Sequence, residues 1–293
     1  MGRCLVALAL CGACSARLGP ISSNNTGVDG NGGTDGKTPD GPAVLGAWGP
    51  AMPITGAAST VNNEDDATLS STALEIIYAV ATPTANKDLY VMTRASRSDA
   101  FGAPTALPAT INTTGTEESP RLSADDLTLY FGRDGDIYKT TRATVSSTWG
   151  TPAVVTGSGN TASYEKWLAV CGTNEFMVSR DNGATGQDLF EGTLGAAGTA
   201  VAELDSAKSE ISTFLSPDCL TVYFASNRGT QTAIYMSTRA TMASAWGAPT
   251  AVATPFDAGT DNEDAWISTD QRIFVWASVR NGATTKDLYI STR

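Results

Sequence analysis

The stretch that decides the fold is Lys87-Asp88-Leu89-Tyr90, because the chain repeats it four more times. The copies are Gly135-Asp136-Ile137-Tyr138, Gln187-Asp188-Leu189-Phe190, Thr232-Ala233-Ile234-Tyr235 and Lys286-Asp287-Leu288-Tyr289. Four of the five run on into Thr-Arg, at Thr93-Arg94, Thr141-Arg142, Thr238-Arg239 and Thr292-Arg293. Counted from the Asp position, the copies lie 48, 52, 45 and 54 residues apart. A period of that length holds about four short strands and is that of a propeller blade.

The remaining strands of each unit align with this one. An innermost strand carries Leu69-Ser70, Leu122-Ser123, Leu168, Leu215-Ser216 or Ile267-Ser268, and a turn with Asp125, Asp218 or Asp270 follows, where Asp can cap its own backbone. The second strand reads Leu127-Thr128-Leu129-Tyr130-Phe131, Leu220-Thr221-Val222-Tyr223-Phe224 or Ile273-Phe274-Val275-Trp276, β-branched and aromatic runs too short for helices. Glycine turns at Asp134-Gly135, Asn182-Gly183, Arg228-Gly229 and Asn281-Gly282 lead to the Asp-Leu-Tyr strand. A fourth strand opens with aromatic-Gly-x-Pro: Phe101-Gly102-Ala103-Pro104, Trp149-Gly150-Thr151-Pro152 and Trp246-Gly247-Ala248-Pro249. Proline fits an outer edge, where its missing N–H needs no partner. The third unit lacks this signature, and its fourth strand falls within Thr199–Leu204.

The fifth unit has no fourth strand after Arg293, while Trp48-Gly49-Pro50 carries an unattached fourth-strand signature. Residues 47–54 are therefore expected to complete the last blade and close the ring, which satisfies an exposed strand edge. The expected fold is all-β: a five-bladed β-propeller of four-stranded antiparallel blades over residues 45–293. The blades span about 62–108, 115–156, 162–205, 208–254, and 261–293 with 47–54.

Composition bounds the chemistry. The 293 residues are 41% apolar and 17% charged, with 29 Gly and 13 Pro, as suits a turn-rich β protein. Histidine is absent, which removes Ser-His-Asp and Cys-His catalysis, His-ligated metals and a histidine pH switch. A net charge of −11 with only 19 Lys and Arg argues against nucleic acid as a partner.

The first residues form a unit of their own. Arg3 precedes a short apolar run, Leu5 to Leu10, too short to span a bilayer and suited to a secretory signal over residues 1–13. Leu10-Cys11-Gly12-Ala13-Cys14 resembles a bacterial lipoprotein box, with Cys11 where that pattern prefers Leu. The resemblance implies cleavage before Cys14 and lipid on that cysteine. By likeness to known sorting patterns, Ser15 after it favours the outer membrane of a Gram-negative bacterium. Residues 14–44, poor in apolar side chains, read as a flexible tether.

Ile111-Asn112-Thr113, Glu117-Glu118-Ser119-Pro120-Arg121-Leu122-Ser123, Leu127 to Phe131 and Asp136-Ile137-Tyr138 together resemble the WD40-like β-propeller repeat of the TolB type. So do Ser216-Pro217-Asp218, Leu220 to Phe224 and Ser226-Asn227-Arg228. The resemblance covers about four fifths of the chain. It implies a Gram-negative envelope lipoprotein that binds other proteins, although a propeller by itself fixes no function.

Each innermost strand begins near an acid: Glu64 (with Asp65 and Asp66), Glu117 with Glu118, Glu165, Glu210, and Glu263 with Asp264. In a ring, these would gather around one mouth of the central channel as a ligand-binding face. The bland alternative is a structural network within each blade. There Arg133, Arg180, Arg228 or Arg280 and the third-strand Asp would meet the Glu. Trp167 and Trp266 precede Leu168 and Ile267 at equivalent positions, suited to stacking on a ligand or to packing between blades. Ser179 to Thr185 partly resembles a sialidase Asp-box but lacks the closing aromatic, and is read as a turn. Cys171 and Cys219 fall in adjacent blades and can form a disulfide in an oxidising compartment. Two Cys without His make a zinc site improbable.

The leading expectation is a non-enzymatic, lipid-anchored envelope protein whose propeller binds another protein or an envelope polymer, with no cofactor. The rival is a carbohydrate-binding or glycoside-hydrolase-like propeller that uses the acidic mouth; a third reading is a calcium-stabilised structural domain. A hydrolase needs two unpaired carboxylates about 5–10 Å apart in a pocket, whereas a platform would show each Glu matched to an Arg.

Overall fold

In a computed structural model, the structure describes residues 45–56, 60–81, 86–157, 160–183, 186–196 and 198–293. The expected signal segment, Cys14 and most of the expected tether lie outside the described residues. The described residues form β-strands and turns, with no helix. They make five antiparallel sheets of four strands each, the blades of a propeller.

Strand β1 (Met52–Pro53) comes first in the chain. Blade 1 is β2 (Asn63–Leu69), β3 (Glu75–Ala81), β4 (Lys87–Thr93) and β5 (Thr105–Ala106). Blade 2 is β6 (Glu117–Leu122), β7 (Thr128–Arg133), β8 (Asp136–Thr141) and β9 (Ala153–Val154). Blade 3 is β10 (Glu165–Cys171), β11 (Glu175–Asp181), β12 (Gln187–Thr193) and β13 (Thr199–Ala200). Blade 4 is β14 (Glu210–Leu215), β15 (Thr221–Ser226), β16 (Ala233–Thr238) and β17 (Thr250–Ala251). Blade 5 is β18 (Thr260–Ile267), β19 (Ile273–Val279) and β20 (Asp287–Thr292). Its outer strand is β1, with Met52 opposite Ile290 and Pro53 opposite Tyr289. The N-terminal strand thus closes the ring, as the unattached Trp48 signature implies.

Second strands are buried on both faces. Ile76, Tyr78 and Val80 of β3 pack against Trp266, Val275 and Leu288 of blade 5, while Ile77, Ala79 and Leu89 pack against Ile111, Leu129 and Phe131 of blade 2. Both faces of such a sheet need apolar side chains, so these strands read as continuous apolar runs with little alternation.

The repeated Thr-Arg and aromatic-Gly-x-Pro elements hold the fourth strand to the third. In each of four blades the glycine N–H donates to the threonine carbonyl: Gly102 to Thr93, Gly150 to Thr141, Gly247 to Thr238 and Gly49 to Thr292, at 2.8–2.9 Å. A Cβ on Gly49 would stand 3.0 Å from Thr292 O, so the close approach needs glycine. The arginine then lies over the aromatic ring, with guanidinium carbons 4.1–4.5 Å from the centroids of Phe101, Trp149, Trp246 and Trp48. Its Nε donates to the carbonyl of a left-handed residue in the turn after the first strand: Ala73, Asp126, Cys219 or Gln271.

Cys171 and Cys219 are bonded across blades 3 and 4, with Cα atoms 5.5 Å apart and a sequence separation of 48. Cross-linking a loop of that length restricts the unfolded chain by about 4 kcal/mol on the loop-entropy model, and measured gains are commonly about 2–4 kcal/mol. The double substitution Cys171→Ser with Cys219→Ser is therefore expected to lower unfolding stability by about 2–4 kcal/mol in denaturant titration. An unchanged midpoint would show that the bond carries no stability.

Candidate functional site

The first strands carry one irregularity in common. In β2, β6, β10 and β14 the register shifts after the second residue of the acidic segment, and β18 has two shifts. The residue at the shift is left-handed in every blade: Asp66, Ser119, Trp167, Ser212 and Asp264, with φ of 52–60°. Such a bulge breaks the alternation of side chains, so two successive residues reach into the channel instead of one. Lys87 Nζ consequently lies 2.8 Å from Asp65 and 3.2 Å from Asp66.

Aligning the blades on these residues corrects the sequence reading twice. The position of Glu64, Glu117, Glu165 and Glu210 is held in blade 5 by Asn262, whose amide meets Ser278 Oγ at 2.7 Å. Glu263 falls one place later, level with Asp65, Glu118, Lys166 and Ile211. Asn262 stands as far before Ser268 as Glu64, Glu117 and Glu210 stand before Ser70, Ser123 and Ser216. Nor are Trp167 and Trp266 equivalent. Trp167 is left-handed and its indole N–H donates to Asp66 across the channel. Trp266 lies opposite Val275 in the apolar core, its ring 6.4 Å from Phe214.

The glutamates expected around an open mouth are buried between the blades: Glu64, Glu117, Glu165 and Glu210 are each at most 1% exposed. Three are held by arginine, with Arg133–Glu117 at 2.8 Å, Arg180–Glu165 at 2.7 Å and Arg228–Glu210 at 2.9 Å. The hydroxyl four residues earlier donates to each: Thr60, Thr113, Thr161 and Ser206. The residue before that hydroxyl completes the joint. Asn112 accepts from Leu89 N–H and donates to the Leu89 and Leu107 carbonyls, and Asn160 makes the same bonds to Ile137 and Val155. This Asn/Asp-Ser/Thr-x-x-x-Glu pattern was present in the sequence and missed. Asp205 occupies the Asn site in blade 4. Its carboxylate oxygens approach those of Asp188 and Glu210 within 4.8 Å, and burial followed by these neighbours pushes it up to about 6.

Two third-strand aspartates act on the following blade: Asp88 and Glu117 repel each other, as do Asp287 and Glu64, while Asp188 accepts from Asn182 of its own blade. Glu64 has no arginine, because its cross-strand neighbour, where Arg133 and Arg180 stand, is Val80. One of its oxygens is buried without a partner. Burial, with Asp287 adding to it, pushes Glu64 up to about 7. Between pH of about 4.5 and 7 the folded chain holds a proton here that the unfolded chain has released. Stability therefore falls as pH rises across that window. Glu64→Gln is expected to flatten this slope and to be the more stable form at pH 8. Thermal melts at pH 5 and pH 8 measure it, and equal slopes would refute it.

The channel itself is closed by paired charges. Lys87 bonds Asp65 and Asp66 and reaches Glu118 at 3.7 Å; Lys166 bonds Glu118 at 2.7 Å; Lys286 bonds Glu263. Deeper, Arg121 spans the channel from blade 2, donating to Thr213 O at 3.1 Å in blade 4 and Ala67 O at 3.3 Å in blade 1. Asp66 and Asp264 meet at the centre, with Asp66 N–H on Asp264 Oδ2 at 3.0 Å. Burial and the neighbouring carboxylates push Asp264 well above the usual carboxylate range. Burial acts on Asp66 in the same direction, but Lys87, Asp264 and the Trp167 indole outweigh it and hold Asp66 low. Five acids (Asp65, Asp66, Glu118, Glu263, Asp264) face four cations (Lys87, Lys166, Lys286, Arg121), so a proton on Asp264 balances the charge. The opposite mouth is apolar: Leu69, Leu122, Val170, Leu215 and Ile267, one per blade, surround a cavity of about 80 Å³.

No family model matches the sequence, and no curated protein matches it. Solved structures share the fold at low identity. An alpha-L-arabinofuranosidase of Podospora anserina, solved with cellotriose, superposes with a TM-score of 0.59 at 12% identity, over 85% of this chain and 96% of that one. The catalytic domain of a Coprinopsis cinerea alpha-L-arabinofuranosidase gives 0.58 at 12% identity, over 84% and 96%. TolB of Acinetobacter baumannii gives 0.52 at 14% identity, over 80% of this chain and 55% of that one. At such identities the likeness is one of fold.

Proposed function

We propose that the protein is a non-enzymatic binding platform of the bacterial envelope, carried on a lipid at Cys14, with a propeller of the WD40-like, TolB type. The observation that carries this reading is the channel. Its acids are bonded to Lys87, Lys166 and Lys286 or stacked on one another beneath them, so no open pair of carboxylates faces a substrate. Glycoside hydrolysis needs one carboxyl to protonate a leaving group and another to attack or activate water, both within reach of the sugar. Here both would first have to shed a buried cation, at a cost of several kcal/mol. The repeated Glu–Arg joints serve the blades, which leaves the outer surfaces for recognition.

The mature chain, tagged at its C-terminal side, should enrich a defined partner from solubilised envelope fractions. Palmitate labelling should be lost in Cys14→Ala. The carbohydrate reading is the alternative outcome: release of arabinose from arabinoxylan, or binding on a glycan array without a protein partner, would replace the platform.

A further inference from the structure

In two blades the Thr-Arg arginine grips the blade before it, while Arg94 of blade 1 donates to the Ala73 and Asp99 carbonyls. Arg142 places Nη1 and Nη2 at 3.1 and 2.9 Å from the carboxylate of Glu75, the first residue of β3. Arg239 lies 3.1 Å from Glu191 in β12, and Trp246 Nε1 joins the same carboxylate at 3.1 Å. Arg293 is the same residue of blade 5, stacked on Trp48 as Arg239 is on Trp246. In the preceding blade both acid positions are vacated. Thr221, opposite Thr238, stands where Glu75 stands opposite Thr93, and Met236, opposite Tyr223, stands where Glu191 stands opposite Met177. Arg293 Nε and Nη2 are spent on the Gln271 carbonyl and side chain, and no described carboxylate pairs with this guanidinium.

The space an acid would fill is an open groove. Two cavities of about 380 and 350 Å³ adjoin between blades 4 and 5, sharing Tyr223, Met236, Ile267 and Gln271 as walls. Thr221 lies in one, and Arg293 in the other among Trp48, Phe256 and Phe274. The Arg293 half of this cleft is mostly apolar with one fixed cation, the form of a recognition site; the one carboxylate, Asp218, lies in the other half and is held by Ser216 and the Leu220 N–H. Arginine binds carboxylate through a planar fork, which the two filled gaps display. The chain's charge of −11 repels acids at long range, so the ligand must gain its affinity by close fit.

We propose that the groove between blades 4 and 5 docks an acidic peptide segment of a partner protein. A ligand carboxylate there takes at Arg293 the place that Glu75 and Glu191 take at Arg142 and Arg239. Apolar residues beside it fill the cleft against Trp48 and Tyr223. This rests on the platform reading and gives that platform a location and a partner chemistry.

The test is panning of phage-displayed random dodecapeptides on the full chain, followed by anisotropy titration of the best labelled peptide. Enriched peptides should carry Asp or Glu flanked by apolar residues. Replacing that acid by its amide should weaken binding about tenfold or more. Met236→Glu rebuilds the joint seen at Arg239. It should raise the melting temperature and weaken the peptide about tenfold, and Arg293→Gln should weaken it to the same degree. No enrichment, enrichment of peptides without acids, or affinities unmoved by both variants would each overturn the proposal. If an envelope partner binds wild type and Met236→Glu alike, the groove is wrong and the platform stands. If peptides behave as expected but no envelope partner exists, the groove stands and the platform reading falls.

Discussion

Arg121→Met should unfold about 3–5 kcal/mol more easily than the wild type. Arg121 is 4% exposed and crosses the ring, so its guanidinium serves three carbonyls, of Thr213, Ala67 and Pro120, and faces the Asp66–Asp264 pair. Methionine keeps the stem but removes the charge. What remains is buried negative charge and carbonyls without donors, the situation in which loss of one partner is most costly. The deficit should widen as pH rises. With Arg121 gone, the five acids face only the three lysines, so balance takes one more proton, the folded chain binds more protons, and stability then falls with pH. Urea titrations at pH 5 and pH 8 measure both effects. A loss below about 1 kcal/mol would mean that the acids are already neutral or the channel already hydrated.

Removing residues 45–54 should abolish cooperative folding of the propeller. Trp48 packs edge-on to Phe256 and Phe274, at 5.5 and 5.8 Å between centroids, and carries Arg293 on its face at 4.1 Å. Ile54, 3% exposed, donates its N–H to Leu288 O and belongs to the core shared by blades 1 and 5. Without the segment β20 becomes a bare edge and an aromatic cluster opens to water. The single substitution Trp48→Ala isolates part of this. Trp48 is half-buried, so the expected loss is about 3 kcal/mol, the low end for an aromatic truncation. A truncated chain that melts in one transition near the wild-type temperature would show that closure is dispensable.

The fold was legible because each blade writes the same local chemistry. Thr-Arg, aromatic-Gly-x-Pro and the Ser-x-Asp turn each leave a fixed spacing, and each has a bond to explain it: glycine N–H to threonine carbonyl, arginine over ring, serine hydroxyl to aspartate at Ser123–Asp125, Ser216–Asp218 and Ser268–Asp270. The site was legible only in part. The Glu–Arg joints of blades 2 and 3 follow from strand pairing, but in blade 4 Glu210 pairs with Ser226 and is reached by Arg228 from beyond the strand, and contacts between blades leave no fixed spacing. The alignment of the first strands was legible in the spacing to the end of the strand: Asn262, not Glu263, stands as far before Ser268 as Glu64 stands before Ser70, and Trp266 stands nearer Ser268 than Trp167 stands to Cys171. The lysines that fill the channel did leave a trace. Lys87 and Lys286 precede the repeated Asp only in blades 1 and 5, the blades whose first strands carry adjacent inward acids, Asp65-Asp66 and Glu263-Asp264.

The pairing of Met52 with Ile290 spans 238 positions (290 − 52). A ribosome or a translocase delivers such a chain from one end only. Four sheets can form as their own strands emerge, but the fifth must wait until β20 reaches β1. Until then the Trp48 strand and the inner face of β2 have no neighbour, and the propeller is an unclosed arc with two bare ends.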